Sequence, residues 1–375
     1  MRKTILFMVP HIYPCKTGGI EIFHYYFLQH IKKHYDVLLW TTCDKTGLDA
    51  DISVLRFPPR MLGNQTIAKS YYQWKHITEF KDRIDLIHLP YSSKGVFRDF
   101  PILPSAKLFR IPYILRIHGG GMHPGRPVWY HQRLFENAAG IMAVSTPIKQ
   151  EYERRHGQPI TLIPSMLPFQ RDQRGPDELK KLYELPPGDT VVLFLGSIKE
   201  IKGPDILLDA FARLGAEYLN KQRARLVFAG DGPLKAPLQA TTEASGLAGR
   251  ISFLGRVAHE KVSELYKLAD LFLIPSLTEA RPLTLSEAFF NGVPAVGSDI
   301  ATIANIIHDA ENGLLFKKGD SADLAAKIRF MLENPEKRRA FGNKAGETYR
   351  AMYQYETMIA DYVAFYEAAM GNSRA

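Results

Sequence analysis

Short apolar runs and amphipathic stretches alternate along most of the chain. "KTILFMVP" reads as a buried strand, and "IEIFHYYFLQHIKKH", after Gly18-Gly19, carries apolar residues at helical spacing. "YDVLLWTT", "IDLIHLPY", "PYILRIHGGG", "AGIMAVS" and "PITLIPS" read as further strands, with helical stretches near Ser70–Phe80, Trp129–Ala138 and Thr146–His156. Strands that are apolar on both faces and separated by helices predict a parallel sheet covered on both sides. The polar segment "QRDQRGPDELKKLYELPPGDT" has the composition of a linker, and after it the pattern restarts. "VVLFLGSI", "ARLVFAGDG", "ISFLGRV", "LFLIPS", "PAVGSD" and "NGLLF" form the second series of strands. The expected fold is α/β, with two Rossmann-like, doubly wound parallel-sheet domains. We expect residues 1–170 as the first domain, 171–189 as linker, 190–352 as the second domain and 353–375 as a last helix that could dock on either. A length of 375 residues suits two domains.

Composition is that of an ordinary globular protein, 46% hydrophobic and 23% charged, and no apolar run is long enough to span a bilayer. The amino-terminal apolar run, Thr4 to Val9, is too short for a secretory core and reads as the first strand. Cys15 and Cys43 show neither a disulfide framework nor metal-ligand spacing, which predicts a reducing cytoplasm. Charge is uneven. Residues 1–180 hold 25 Lys/Arg against 15 Asp/Glu, a balance of +10, so the whole excess of +9 lies in the first half. An anionic membrane or an anionic substrate suits that excess, and "KSYYQWKHITEFKDR" mixes cations with Tyr71, Tyr72 and Trp74 as interfacial candidates. Packing of those aromatics into the core is the other reading. A nucleic-acid module is excluded for want of an aromatic-basic recognition motif.

In doubly wound sheets, ligands bind beyond the carboxyl ends of strands. Four strand ends carry chemistry. In "PSLTEARPLTLSEAFFNG", Glu279 lies in the loop before a helix expected from about Pro282 to Phe290, and Glu287 lies inside that helix. Amides at a helix start attract anions, whereas carboxylates accept hydrogen bonds from vicinal hydroxyls. The two together suit a phosphate flanked by sugar and ribose. "LGSIKEIKG" supplies Lys202, "LRIHGGG" supplies His118, and "YPCKTGGIEIF" places Gly18-Gly19 where a backbone can approach a phosphate or simply turn. The only Asp-x-Asp, Asp49-Ala50-Asp51, lies in a polar loop away from these motifs, so no metal cofactor is expected.

The E-x7-E pair, followed by "EAF…GVPAVGSD", resembles the retaining GT-B glycosyltransferases, a family that includes many bacterial surface-glycan enzymes. "LGSIKEIKGPDILLDAF", "LVFAGDGPLKAPLQ", "ISFLGRVAHEKVSELYKLADLFLIPS" and "ENGLLFKKGDSADLAAKI" extend the resemblance in order and spacing over Thr190–Ala375. It implies two domains facing a cleft, with the acceptor on the first and the donor on the second. It implies that Glu287 binds the donor ribose, that Glu279 and His118 contact the transferred sugar, and that Lys202 holds the diphosphate. Gly19, Ser197, Arg256 and Arg281 complete the donor set. Gly18, His24 and His123 fall on the acceptor side. Three positions depart from the family pattern. Pro282 replaces a Gly, leaving Arg281, Leu283 and Thr284 to supply loop amides. Ser197 replaces an Arg, whose part Lys199 or Arg281 could take, and Gly119 replaces an Asp. The implied donor is a UDP-sugar, with GDP-mannose next, and the implied acceptor a glycan or lipid-linked molecule at the inner face of the plasma membrane. A sugar phosphorylase or sugar-phosphate synthase, or an inactive nucleotide-binding homologue, are the alternatives. The nucleotide, the acceptor and the oligomeric state are left open.

Overall fold

The computed structural model describes residues 2–57, 65–91, 100–119, 128–352 and 354–371. The chain divides into two compact units, Met1–Pro168 with Gln354–Ala375, and Phe169–Tyr353. The first unit holds seven parallel strands: β1 (Thr4–Met8), β2 (Asp36–Thr41), β3 (Ser53–Arg56), β4 (Leu86–Tyr91), β5 (Tyr113–Ile117), β6 (Gly140–Ala143) and β7 (Thr161–Leu162), in the order β3-β2-β1-β4-β5-β6-β7. The second holds six: β8 (Thr190–Leu195), β9 (Ala224–Ala229), β10 (Ile251–Gly255), β11 (Leu271–Ile274), β12 (Ala295–Ser298) and β13 (Gly313–Phe316), in the order β10-β9-β8-β11-β12-β13. Both sheets are the expected doubly wound kind. Strands such as β1 and β11 are buried at every position because helices cover both faces.

Strand order reverses between β1 and β4 in one unit and between β8 and β11 in the other. Connections leave to opposite faces there, which opens a crevice at the carboxyl edge. Lys202 follows β8 and Glu279 follows β11, so the second reversal gathers the two motifs that the sequence keeps 77 residues apart.

The helix Tyr355–Gly371 belongs to the first unit. Its buried residues Met358, Tyr362, Tyr366 and Met370 recur every four positions, and the Tyr362 ring lies 4.5 Å from that of Phe27. Residues 171–189, expected as a linker, carry the helix Pro176–Leu182, whose Leu179 is buried in the second unit. Helices at Ile102–Phe109 and Ala216–Lys221 and the short strand β3 were not predicted. In the helix Ile102–Phe109, Pro104 sits in the first turn, where its missing N–H costs nothing.

The expectation of two unlinked cysteines is overturned: Cys15 and Cys43 form a disulfide, with Cα atoms 5.9 Å apart. The reason is tertiary. β1 and β2 pair in parallel with Met8 opposite Trp40, so the loops beyond their ends emerge side by side. The Thr42 amide donates to the Pro10 carbonyl at 3.0 Å, and the cysteines follow on each side.

Candidate functional site

In the second unit the loop after β8 runs through Gly196 and Ser197 into a single 3-10 turn, Glu200–Lys202, and ends at Gly203. Gly203 has φ +64°, and a Cβ there would lie 2.2 Å from the Pro275 carbonyl oxygen. Only glycine fits so close to the end of β11. The Leu277 amide then donates to the Ile201 carbonyl at 3.0 Å, tying the two loops together. This tie delivers Lys202 to Glu279. Lys202 Nζ lies 2.5 Å from Glu279 Oε1, and Ser276 Oγ donates to the same oxygen at 2.8 Å. The Lys202 side chain keeps 32% of its exposure, so the pair sits at a surface that a ligand can reach.

The helix Leu283–Phe290 starts directly after Pro282, one residue later than expected. Of the loop amides, that of Leu283 donates to the Arg281 carbonyl at 3.0 Å. Thr284 accepts at its carbonyl from the Tyr266 hydroxyl at 2.7 Å, which fixes the first turn. Glu287 lies on the buried side of the helix, 8% exposed, and burial pushes its carboxyl up to about 8. Burial also lowers the Arg281 guanidinium to about 10. Ser197 is half-buried at the end of β8, and Arg256 and Lys199 are exposed.

In the first unit His118 follows β5 and is half-buried. Its Nε2 lies 3.2 Å from Arg116 Nη1. His24, on the helix Gly19–Ile31, is fully buried with Nδ1 2.8 Å from the Ile20 carbonyl, and its ring centroid lies 5.2 Å from that of His118. Burial, then the Arg116 charge, lowers His24 to about 3 and holds His118 well below the usual histidine range. Gly18 caps that helix with φ −128°, an extended conformation open to any residue, and a Cβ there would meet only the mobile end of Glu21. Gly19 opens the helix, so neither glycine is demanded by backbone geometry. His123 lies outside the described residues.

Sequence reading missed Arg116, Ser276 and Gly203. Arg116 left one signal: a lone cation two residues before His118 in an otherwise apolar strand, hence on the same side of the chain.

Among the described residues one trio of metal-ligand type converges, His11, Cys15 and Cys43, with ligand atoms within 4.8 Å of one another. The disulfide occupies both sulfurs. Asp49 and Asp51 pair with Lys32, which accounts for that acidic motif.

Two family models match in tandem: "Glycosyltransferase Family 4" over residues 17–171 and "Glycosyl transferases group 1" over 176–348. N-acetyl-alpha-D-glucosaminyl L-malate synthase of Bacillus anthracis is 27% identical over 198 residues, 53% of this chain and 50% of that protein. The chain thus spans about half the length of that curated relative. Among solved structures, Anabaena HepE in complex with UDP and glucose superposes with TM-score 0.79 at 19% identity, over 96% of this chain and 98% of that one. Sucrose-phosphate synthase from Thermosynechococcus elongatus gives 0.81 at 19%, over 99% and 100%. At such identities the structures speak for the fold. With both family models matched in chain order on two doubly wound sheets, the chain belongs to the GT-B glycosyltransferase family.

Proposed function

We propose that the protein is a retaining glycosyltransferase that moves a sugar from a nucleoside-diphosphate sugar to a hydroxyl-bearing glycan or lipid-linked acceptor. The donor would bind the second unit and the acceptor the first. The observation that carries this reading is the meeting of Lys202, Glu279 and Ser276 at the β8/β11 reversal, beside the helix that bears Glu287. Each partner of the Lys202–Glu279 pair stands in for part of a donor. Lys202 would exchange the carboxylate for diphosphate oxygens, and Glu279 would exchange the ammonium for sugar hydroxyls, with Ser276 still holding it. Charge is then rearranged rather than newly buried, which keeps the desolvation cost of donor binding low. Glu287 would take the ribose diol. Lys202 and the first amides of the helix Leu283–Phe290 would offset the leaving diphosphate, so the reading calls for no metal. No side chain acts as nucleophile: the departing diphosphate would take the acceptor proton on the face from which it leaves. Glu279 would orient the sugar and stabilise its developing positive charge.

A thermal-shift comparison of UDP, GDP, ADP and dTDP tests the donor class, with UDP expected to give the largest rise by mass action. Incubation of the preferred nucleotide-sugar with candidate acceptors should yield a product of retained anomeric configuration. No stabilisation by any nucleotide, together with phosphate-dependent disaccharide cleavage, would favour a phosphorylase instead. Replacing Lys202 by Ala should weaken nucleoside-diphosphate binding by roughly 1.5–3 kcal/mol, the range for charged hydrogen bonds, and spare the nucleoside. Calorimetry that found equal losses for both ligands would remove Lys202 from the phosphate.

The basic first half supports docking on an anionic membrane surface. On the helix Gln65–Phe80, Gln73 and Ile77 point into the unit, while Ile67 and Tyr71 are exposed by 68% and 59%. Tyr72 and Trp74 are half-buried, against Phe57 and Phe109 respectively. The aromatics therefore divide between core and surface. No helix of the described residues is long and apolar enough to cross a membrane. Sedimentation with anionic vesicles at low salt should pull the protein down, and added salt or neutral lipid should release it. Absence of binding at low salt would leave recognition of a charged acceptor as the better account of the excess.

A further inference from the structure

Arg116 is buried in a way that an arginine rarely tolerates. It lies on β5, inside the first sheet, and is 0% exposed. Among the described residues no carboxylate pairs with it. Buried cations ordinarily have an acidic partner, because desolvation of an unpaired charge is unfavourable. Arg116 Nη2 donates to Ser165 Oγ at 2.7 Å, Nη1 lies 3.2 Å from His118 Nε2, and the guanidinium stands 3.8 Å from the centre of the Phe23 ring.

The contact with His118 allows one proton arrangement. Guanidinium has donors only and stays charged. His118 Nε2 must therefore accept, and the ring proton must sit on Nδ1. A proton added at Nε2 would face the guanidinium without an acceptor. The neighbouring groups reinforce this. His24 comes from the helix Gly19–Ile31, His88 from β4, and Tyr362 and Tyr366 from the last helix, and none of them brings a negative charge. His88 Nδ1 meets the Tyr366 hydroxyl at 2.5 Å, and His24 Nδ1 meets the Ile20 carbonyl, so both rings are engaged locally.

We propose that Arg116 is a positioning residue that fixes His118 as a neutral imidazole in the Nδ1–H form, with Nε2 closed to protonation. His118 is then a hydrogen-bond donor through Nδ1 and cannot act as a base through Nε2. Its consequence for transfer rests on the proposed function and on the sugar-facing role that the family resemblance implies for His118; the tautomer itself does not. A neutral donor can hold a sugar oxygen without protonating the leaving group or accepting the acceptor proton, which leaves that proton to the diphosphate.

The experiment is long-range nitrogen–proton NMR of the full chain labelled in histidine, with His118 assigned by loss of its signal in His118→Gln. The wild-type spectrum should show the Nδ1–H form, unchanged from pH 8 to pH 5. In Arg116→Gln, His118 should titrate higher than in the wild type, while the burial that remains keeps it below the ordinary histidine value. At saturating donor, where Glu287 ionisation in the free protein does not enter, kcat of that variant should fall as pH is lowered from 7.5 to 5, in step with the protonation of His118 seen by NMR. The wild type should stay flat in kcat, and Arg116→Lys, which keeps charge and donor, should resemble it. A wild-type His118 protonated at Nε2, or titrating between pH 5 and 8, would overturn the inference even if the glutamine variant failed to fold. A correct tautomer, with a glutamine variant whose His118 titrates while its kcat stays pH-independent, would uphold the positioning and overturn the role of His118 toward the sugar.

Discussion

Replacing Glu287 by glutamine is expected to make the protein more stable and a poorer binder of nucleotide at the same time. Glu287 is buried on the helix Leu283–Phe290, and burial alone raises its carboxyl from 4.5 to about 8. The folded state therefore holds this proton more tightly than the unfolded chain. Below pH 4.5 both states are protonated and Glu287 costs nothing. Between pH 4.5 and 8 the unfolded state has released the proton and the folded state has not, so stability falls as pH rises through that window. At pH 7 the penalty is about 3 kcal/mol, from 1.36 kcal/mol per unit of pKa displacement. Glutamine carries no proton to lose, so it should recover most of this at pH 7 and little at pH 4. Denaturant midpoints of both proteins at the two pH values decide the matter. An equal difference between wild type and variant at both would show that Glu287 is not held protonated by burial. Ribose hydroxyls favour the carboxylate, so nucleotide binding to the wild type at pH 7 should release a proton, visible in calorimetry as a buffer-dependent enthalpy. Loss of the ionised acceptor should weaken binding by roughly 1.5–3 kcal/mol. A variant that gained stability and kept its affinity would leave Glu287 as a buried acid without a ribose contact. The stability expectation follows from burial; the affinity expectation follows from the proposed function.

Reduction of the Cys15–Cys43 bridge should lower stability by about 3–4 kcal/mol, from the loop entropy of a cross-link spanning 28 residues. Cys15 is exposed and Cys43 is 1% exposed, so a reductant has access through Cys15. A shift of the urea midpoint on adding reductant, absent in a protein with both cysteines changed to serine, is the expected result. No shift in the wild type would mean that the sulfurs are not joined in solution. The bridge links the segment between β1 and Gly18 to the end of β2, so its loss should act first on the carboxyl edge of the first sheet.

Much of this could be read directly from residue order. Period and apolar content predicted two parallel sheets because buried strands must be apolar on both faces, as β1 and β11 are. Pro282 marked the start of the helix bearing Glu287 to within one residue, since proline suits a first turn and little else in a helix. The short strand β3 and the helix Ile102–Phe109 escaped, because four and eight residues give too little periodicity to stand out.

Local chemistry is determined by sequence because caps, turns and periodicity act over a few residues. Glu279, Glu287, Lys202 and His118 were singled out in this way, each in the segment that follows a strand. Only the tertiary structure decided what meets what. The β8/β11 reversal brings Lys202 onto Glu279, and parallel pairing of β1 with β2 brings Cys15 to Cys43. The last helix joins the first unit, placing Tyr362 and Tyr366 near an arginine that has no acid beside it among the described residues. Burial then raised the Glu287 carboxyl and, together with the Arg116 charge, lowered His118. Desolvation depends on everything packed around a group, and most of those neighbours lie far away along the chain.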